Sequence, residues 1–316
     1  MYIKQSADMQ LLIDSILEQL NSVILGKPTE TRLALACLLA KGHLLIEDLP
    51  GMGKTTLAHT LAKTLGLSFQ RIQFTSDLLP ADVVGISIFQ PEKQTFILHK
   101  GPIFSQLLLA DEINRASPKT QSALLEAMEE KQVSIDGISH NLPEPFFVIA
   151  TQNPLHHAGT YLLPESQLDR FMMRISLGFP NAEAEKQILL SADPHVKLND
   201  LVSVVSQQQL ILLQQAVKKV YASASILDYI IALCHFTRTH EFSGDPLSPR
   251  AGKAILNAAK AWALTKGRDH LLPEDIQAIF TVVCQHRITG SNDEISTDGL
   301  PLADQILQQV DPINCN

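Results

Sequence analysis

Little in this sequence suits a secreted, membrane-embedded or nucleic-acid-coating protein. Only four cysteines occur in 316 residues, Cys37, Cys234, Cys284 and Cys315, and no two form a CxxC pair. That argues against a disulfide framework and against a zinc site. No run approaches the ~20 apolar residues that a membrane-spanning helix needs. The first twenty residues lack the basic–apolar–small order of a secretory signal, so the expectation is a cytoplasmic protein without membrane insertion. Basic residues are also short: 25 Lys plus Arg stand against 33 Asp plus Glu, a net charge of -8. Proteins that grip nucleic acid neutralise phosphates with a basic excess, so protein or small-molecule partners are expected instead. What is present is ordinary for a globular chain, 45% hydrophobic and 18% charged. The length leaves room for a large domain plus a smaller one.

The first half alternates strand and helix. Apolar runs at 43–47, 67–74, 106–111, 146–151 and 172–179 read as strands. They lack strict alternation, as parallel strands buried on both faces do. Helical stretches at 55–65 and 118–131 separate several of them, which implies a doubly wound α/β domain. Two hairpins interrupt the order. Residues 86–89 and 95–98 flank a polar link, and 133–135 and 138–140 flank Asp136-Gly137, a pair suited to positive φ angles. After Phe179-Pro180 the pattern is helical only, with starts at Ser248-Pro249 and Pro273-Glu274-Asp275. A boundary near Pro180 divides the chain into 1–180 and 181–316; the tail from Ser291 carries little pattern.

The densest chemical signal is the run Asp48-Leu49-Pro50-Gly51-Met52-Gly53-Lys54-Thr55-Thr56, between the first strand and an apolar-faced helix. Glycines at 51 and 53 let backbone N–H groups approach phosphate oxygens, and the helix points its positive end at them. Lys54 would bind the β- and γ-phosphates of ATP, and the Thr55 hydroxyl would hold Mg²⁺. The usual first glycine of such loops is Asp48 here. Downstream, Leu107-Leu108-Leu109-Ala110-Asp111-Glu112 is a buried strand ending in two acids, where α/β folds present ligands. Asp111 would complete the Mg²⁺ shell and Glu112 would polarise a water for attack on the γ-phosphate.

The run from Ala110 through Arg115 to Gln121, continued by 124–130 and 132–137, resembles the second nucleotide motif of MoxR-type AAA+ ATPases, relatives of magnesium-chelatase ATPase subunits. The resemblance spans roughly residues 10 to 290. It implies a P-loop AAA+ core, a parallel sheet flanked by helices, followed by a smaller all-helical lid. It also implies roles for further residues. Val148 to Pro154 matches the first sensor strand, so Asn153 would bond the γ-phosphate or the attacking water. Arg170, in the run 163–171, is the candidate finger that reaches a neighbouring subunit's ATP, with Arg115 and Arg174 as alternatives. Arg250, in Leu247-Ser248-Pro249-Arg250-Ala251, resembles the second sensor, contacting the γ-phosphate across the domain gap. Ile24 and Gly26 would line the adenine pocket, although Lys27 replaces the glutamine that relatives often carry beside them. His156-His157 replaces an acid common in relatives and reads as a solvated loop.

In relatives, hairpins like 83–98 (the helix-two insert) and 133–140 (the pre-sensor hairpin) project into a ring's pore. The expected activity is therefore Mg-dependent ATP hydrolysis by a homo-oligomer, a hexamer, that remodels or matures protein complexes. The family also implies a protein partner with a von Willebrand factor A domain. Two alternatives remain open: a nucleic-acid motor, for which only Lys93, Lys100 and Lys131 lie near the hairpins, and a nucleotide-regulated scaffold with little hydrolysis. A small-molecule kinase has no evident need for the arginine series.

Overall fold

The computed structural model describes residues 2–153, 160–190, 198, 200–239, 242, 244–288 and 300–312. Two helices, α1 (Tyr2–Val23) and α2 (Pro28–Leu39), precede β1 (Leu44–Glu47) and α3 (Lys54–Thr64). β2 (Phe69–Gln73) and α4 (Pro80–Val84) lead into the hairpin of β3 (Gly85–Gln90) and β4 (Thr95–Lys100). β5 (Leu107–Asp111), α5 (Pro118–Glu130), the hairpin of β6 (Gln132–Ile135) and β7 (Ile138–Asn141), β8 (Phe147–Gln152), α6 (Glu165–Leu168) and β9 (Met173–Ile175) follow. Described elements beyond β9 are all helices: α7 (Ala182–Leu190), α8 (Gln207–Lys219), α9 (Ala224–Phe236), α10 (Pro249–Thr265), α11 (Pro273–Ile288) and α12 (Leu302–Gln309).

Five strands form one parallel sheet in the order β2-β5-β8-β1-β9. Alternate residues of β1, β5 and β8 feed two separate cores. Leu44, Ile46, Leu107, Leu109, Ile149 and Met173 pack with α1, α2, α3 and the later helices. Leu45, Leu108, Ala110, Val148 and Ala150 pack with Leu124, Leu125 and Met128 of α5. Burial on both faces explains the continuous apolar runs: a strand with no solvent side has no reason to alternate. The helical half docks on the first face. Ala251, Ala254, Ala258 and Ala261 of α10 are buried, and α10 packs against α2 and α11.

Local signals set most element ends. The Ser248 hydroxyl accepts the Ala251 N–H at 3.2 Å and Pro249 opens α10. Asp136 and Gly137 both have positive φ, as their tight hairpin turn requires. Two expectations fail in detail. The last strand ends at Ile175 rather than 179, because residues 176–178 turn their hydrogen bonds onto Asp48. The tail read as carrying little pattern contains α12, whose Leu302, Ala303 and Ile306 are buried; about two amphipathic turns are easily missed.

His43, at the foot of β1, joins sheet to helix: its Nδ1 accepts the Val148 N–H at 3.0 Å while Nε2 donates to Met128 O at 3.2 Å. Burial, reinforced by Lys131 and opposed by the Met128 bond, pushes it down to about 4. Burial, with Arg287 and Arg174, drives His286 down in the same direction. Between the unfolded and folded pKa the unfolded chain binds more protons, so stability is complete above about pH 6.5 and falls as pH drops toward 4. For His43 the loss is on the order of 3 kcal/mol. Urea unfolding should therefore show a midpoint that declines from pH 7 to pH 5, with a shallower decline in His43→Gln; parallel pH profiles would clear His43 of the effect.

Candidate functional site

Three adjacent strands deliver the predicted residues to one edge of the sheet: Asp111 and Glu112 from β5, Asn153 from β8, and residues 48–54 from β1. The loop after β1 is shaped by Gly51 and Gly53, at φ 85° and 86°. A Cβ at either would meet no protein atom within 4 Å, so glycine serves the backbone angle there rather than space. Pro50 and Gly51 form an exposed crest, Met52 and Gly53 are half-buried, and Thr55 and Thr56 sit half-buried in the first turn of α3. The Lys54 Nζ is turned into the site. It donates to the carbonyl of Asp48 and, at 3.1 Å, to Asn153 Oδ1. Burial pushes its ammonium pKa down, while Asp48, Asp111, Glu112 and Glu47 hold it up.

Asn153 bridges this lysine to the acids: its amide donates to Glu112 Oε1 at 3.3 Å. Thr151, fully buried, binds both acids, donating its hydroxyl to Asp111 Oδ1 at 2.5 Å and accepting the Glu112 N–H at 2.9 Å. Glu112 adopts a left-handed φ of 56°, a conformation that costs a non-glycine residue about 1 kcal/mol. The loop beyond it is held by buried Gln121, whose amide donates to the carbonyls of Ile113, Ala116 and Tyr161.

Both acids have arginine partners. Arg71 on β2 reaches Asp111 Oδ2 at 2.7 Å, and Arg115 reaches Glu112 Oε2 at 2.8 Å. Arg71 and Thr151 are members of the site that sequence reading missed. Each acts across a strand boundary, and strand order is not visible in one dimension. The donors suit Mg²⁺ brought in with a nucleotide: one carboxylate and one hydroxyl, hard oxygens that leave the remaining positions to phosphates and water. Among the described residues no cluster of three His, Cys, Asp or Glu could cage a resident metal.

The arginines stand elsewhere. Arg170 bonds the Leu125 carbonyl at 2.6 Å and Glu129 at 3.0 Å, rather than Asp169 or Glu165. Arg250 bonds the other Glu129 oxygen at 3.0 Å and lies 3.5 Å from Asp169, which also receives Arg287 at 2.7 Å. Glu129 follows Met128, the residue bonded to His43 at the foot of β1, whereas Lys54 follows its head. Five steps of chain, from His43 to Asp48, separate those levels, about 16 Å at the usual strand rise. Arg170 and Arg250 thus share one carboxylate at the end of the sheet away from their own Lys54. Arg174 is spent on Glu47 at 2.9 Å, and Gln152 holds the same carboxylate at 3.0 Å. Ile24 is buried in the core, and Gly26, at φ 73°, faces α7 so closely that a Cβ would stand 2.6 Å from that of Ala184. Lys27 donates to the Phe179 carbonyl at 2.7 Å. Pro154, His156 and His157 lie outside the described residues.

Among the described residues no helix is long and apolar enough to cross a membrane. The family model for the ATPase family associated with various cellular activities matches residues 43–173, and the AAA lid domain matches 235–310. The chain is 46% identical over 281 residues to protein YeaC of Bacillus subtilis, covering 89% of this chain and 88% of that one. It is 37% identical over 319 residues to Chaperone MoxR1 of Mycobacterium tuberculosis, covering 96% of this chain and 83% of the relative. A crystal structure of a candidate ATPase from Cytophaga hutchinsonii superposes with a TM-score of 0.86 at 36% identity, covering 98% of this chain and 97% of that one. With a five-stranded parallel sheet, a helical lid and these relatives, the chain belongs to the MoxR family of AAA+ ATPases.

Proposed function

We propose that the protein hydrolyses ATP to ADP and phosphate with Mg²⁺ and works as a homo-oligomeric ring, a hexamer, that remodels or matures protein complexes. The observation that carries this reading is the split of the machinery. Lys54, Asp111, Glu112 and Asn153 are joined by hydrogen bonds at one end of the sheet. Arg170 and Arg250 are paired through Glu129 at the other. Neither arginine reaches its own cradle in this arrangement, so the charge they would offset belongs to a neighbour's nucleotide.

In this reading Pro50 to Thr56 wrap the phosphates, Thr55 and Asp111 hold Mg²⁺, and Ile24 and Gly26 line the base. Bound Mg²⁺ neutralises charge on the phosphate oxygens. Lys54 gives up the Asp48 carbonyl for a phosphate, Asn153 orients the attacking water, and Glu112 accepts its proton. Arg71 and Arg115 must release the two acids first, which favours a low rate from isolated subunits and keeps the weakly hydrolysing scaffold as the second reading. The domain division at Pro180 belongs to the same proposal, with the lid moving against the core. The β3–β4 hairpin carries Phe89 and Phe96, ring centroids 5.3 Å apart and Phe96 71% exposed, an exposed aromatic pair beside the polar turn that suits a protein client. A partner with a von Willebrand factor A domain rests on family resemblance.

The test is ATPase rate against protein concentration, with molar mass from light scattering. The rate per subunit should climb at least about tenfold as rings appear, because an unassembled subunit lacks the arginine contribution. A concentration-independent rate from a monomer would overturn the ring.

A further inference from the structure

Asp48, where phosphate loops usually carry glycine, and Lys27, where relatives often carry glutamine, converge on one stretch of chain. The Asp48 side chain, 6% exposed, accepts the Ser176 hydroxyl at 2.7 Å, the Leu177 N–H, and the Gly178 N–H at 3.2 Å. Lys27 donates to the next carbonyl along, that of Phe179, at 2.7 Å. Residues 176–179 therefore hang between the loop expected to hold phosphate and the loop expected to hold the base. A glycine at 48 would offer neither backbone N–H an acceptor, and buried donors are rarely left that way.

This stretch leads from β9 into α7 and the helices beyond. Asn181 Oδ1 accepts the Ala184 N–H at 2.8 Å, fixing the first turn of α7, and Gly26 presses on the same turn. Meanwhile the Asp48 carbonyl is the acceptor for Lys54 Nζ, and the Asp48 N–H donates to Gln152 O at 3.4 Å. One residue thus answers through its peptide to the phosphate-binding lysine and through its side chain to the path into the lid. A Lys54 drawn to a phosphate would release the Asp48 carbonyl, and the carboxylate of that same residue is bonded to residues 176–178.

We propose that Asp48 and Lys27 are positioning residues that couple the nucleotide cradle to residues 176–184, so that nucleotide occupancy sets the orientation of the helical lid. This rests on the cradle being a nucleotide site, and tight binding of a fluorescent ATP analogue by the unaltered protein tests that separately, before any variant is made.

Hydrogen exchange of peptides covering 176–190 then reads the coupling, with and without Mg²⁺ and a non-hydrolysable ATP analogue. In the unaltered protein the analogue should slow exchange there about fivefold or more. Lys27→Met and Asp48→Gly should keep analogue affinity within about threefold while the nucleotide-dependent slowing disappears, and kcat should fall about tenfold with KM nearly constant. A purely structural staple would instead raise exchange equally with and without nucleotide, leaving the difference intact. Persistence of the slowing in Lys27→Met, which leaves the cradle untouched even should Asp48→Gly fail to fold, would overturn the coupling. So would a tenfold loss of affinity in Lys27→Met, which would make Lys27 a direct ligand instead.

Discussion

Glu112→Gln is expected to abolish most turnover while leaving nucleotide binding intact. The amide keeps the size of the carboxylate and can still accept the Asn153 amide through Oε1, so that hydrogen bond survives. It cannot take a proton from water, and loss of a positioned general base lowers rates by roughly 10²–10⁴-fold. The ion pair with Arg115 also disappears, but that arginine is half exposed and its pairing contributes little to stability. The variant should accordingly fold, bind ATP and accumulate in its ATP-bound assembly. Single-turnover quench experiments separate the possibilities: a burst of ADP at the normal rate would put the chemistry elsewhere, whereas bound, unhydrolysed ATP places it at Glu112. Should the scaffold reading hold, the unaltered protein would already be as slow as the variant.

How much of this was legible beforehand follows from which interactions run along the chain and which cross it. The strands 107–111 and 147–152 were readable because a strand buried on both faces must be apolar throughout. The α10 start was readable because Ser248, Pro249 and the Ala251 N–H lie within one turn. The cradle was readable because glycine, lysine and threonine act within a few residues of each other. Arg71, by contrast, meets Asp111 only because β2 pairs with β5, forty residues on, in the register Arg71↔Leu109. Glu129 gave no sign of holding two arginines, since Arg170 and Arg250 are 41 and 121 residues away and meet it only in the folded chain. Asp48 and Lys27 were visible as departures, but their shared target at residues 176–179 was not.

Arg170→Ala is expected to cost turnover comparably, through a different subunit. Its guanidinium is held by the Leu125 carbonyl and Glu129, so truncation removes a charge without opening the core, and the fold should persist. A finger arginine supplied to a phosphoryl-transfer site accounts for roughly 10³–10⁵ in rate, so kcat should collapse while ATP affinity changes little. Mixing provides the decisive readout. Lys54→Ala subunits lack a working cradle but keep Arg170; Arg170→Ala subunits lack the arginine but keep the cradle. Each preparation alone should be nearly inactive. In equal mixtures that exchange freely, an intact cradle meets an intact arginine at about a quarter of head-to-tail interfaces, so activity should return to that order. No recovery after verified exchange would mean that arginine and cradle act within one chain, and the separation between the two ends of the sheet, about 16 Å along the strands, would then have to be closed during the cycle.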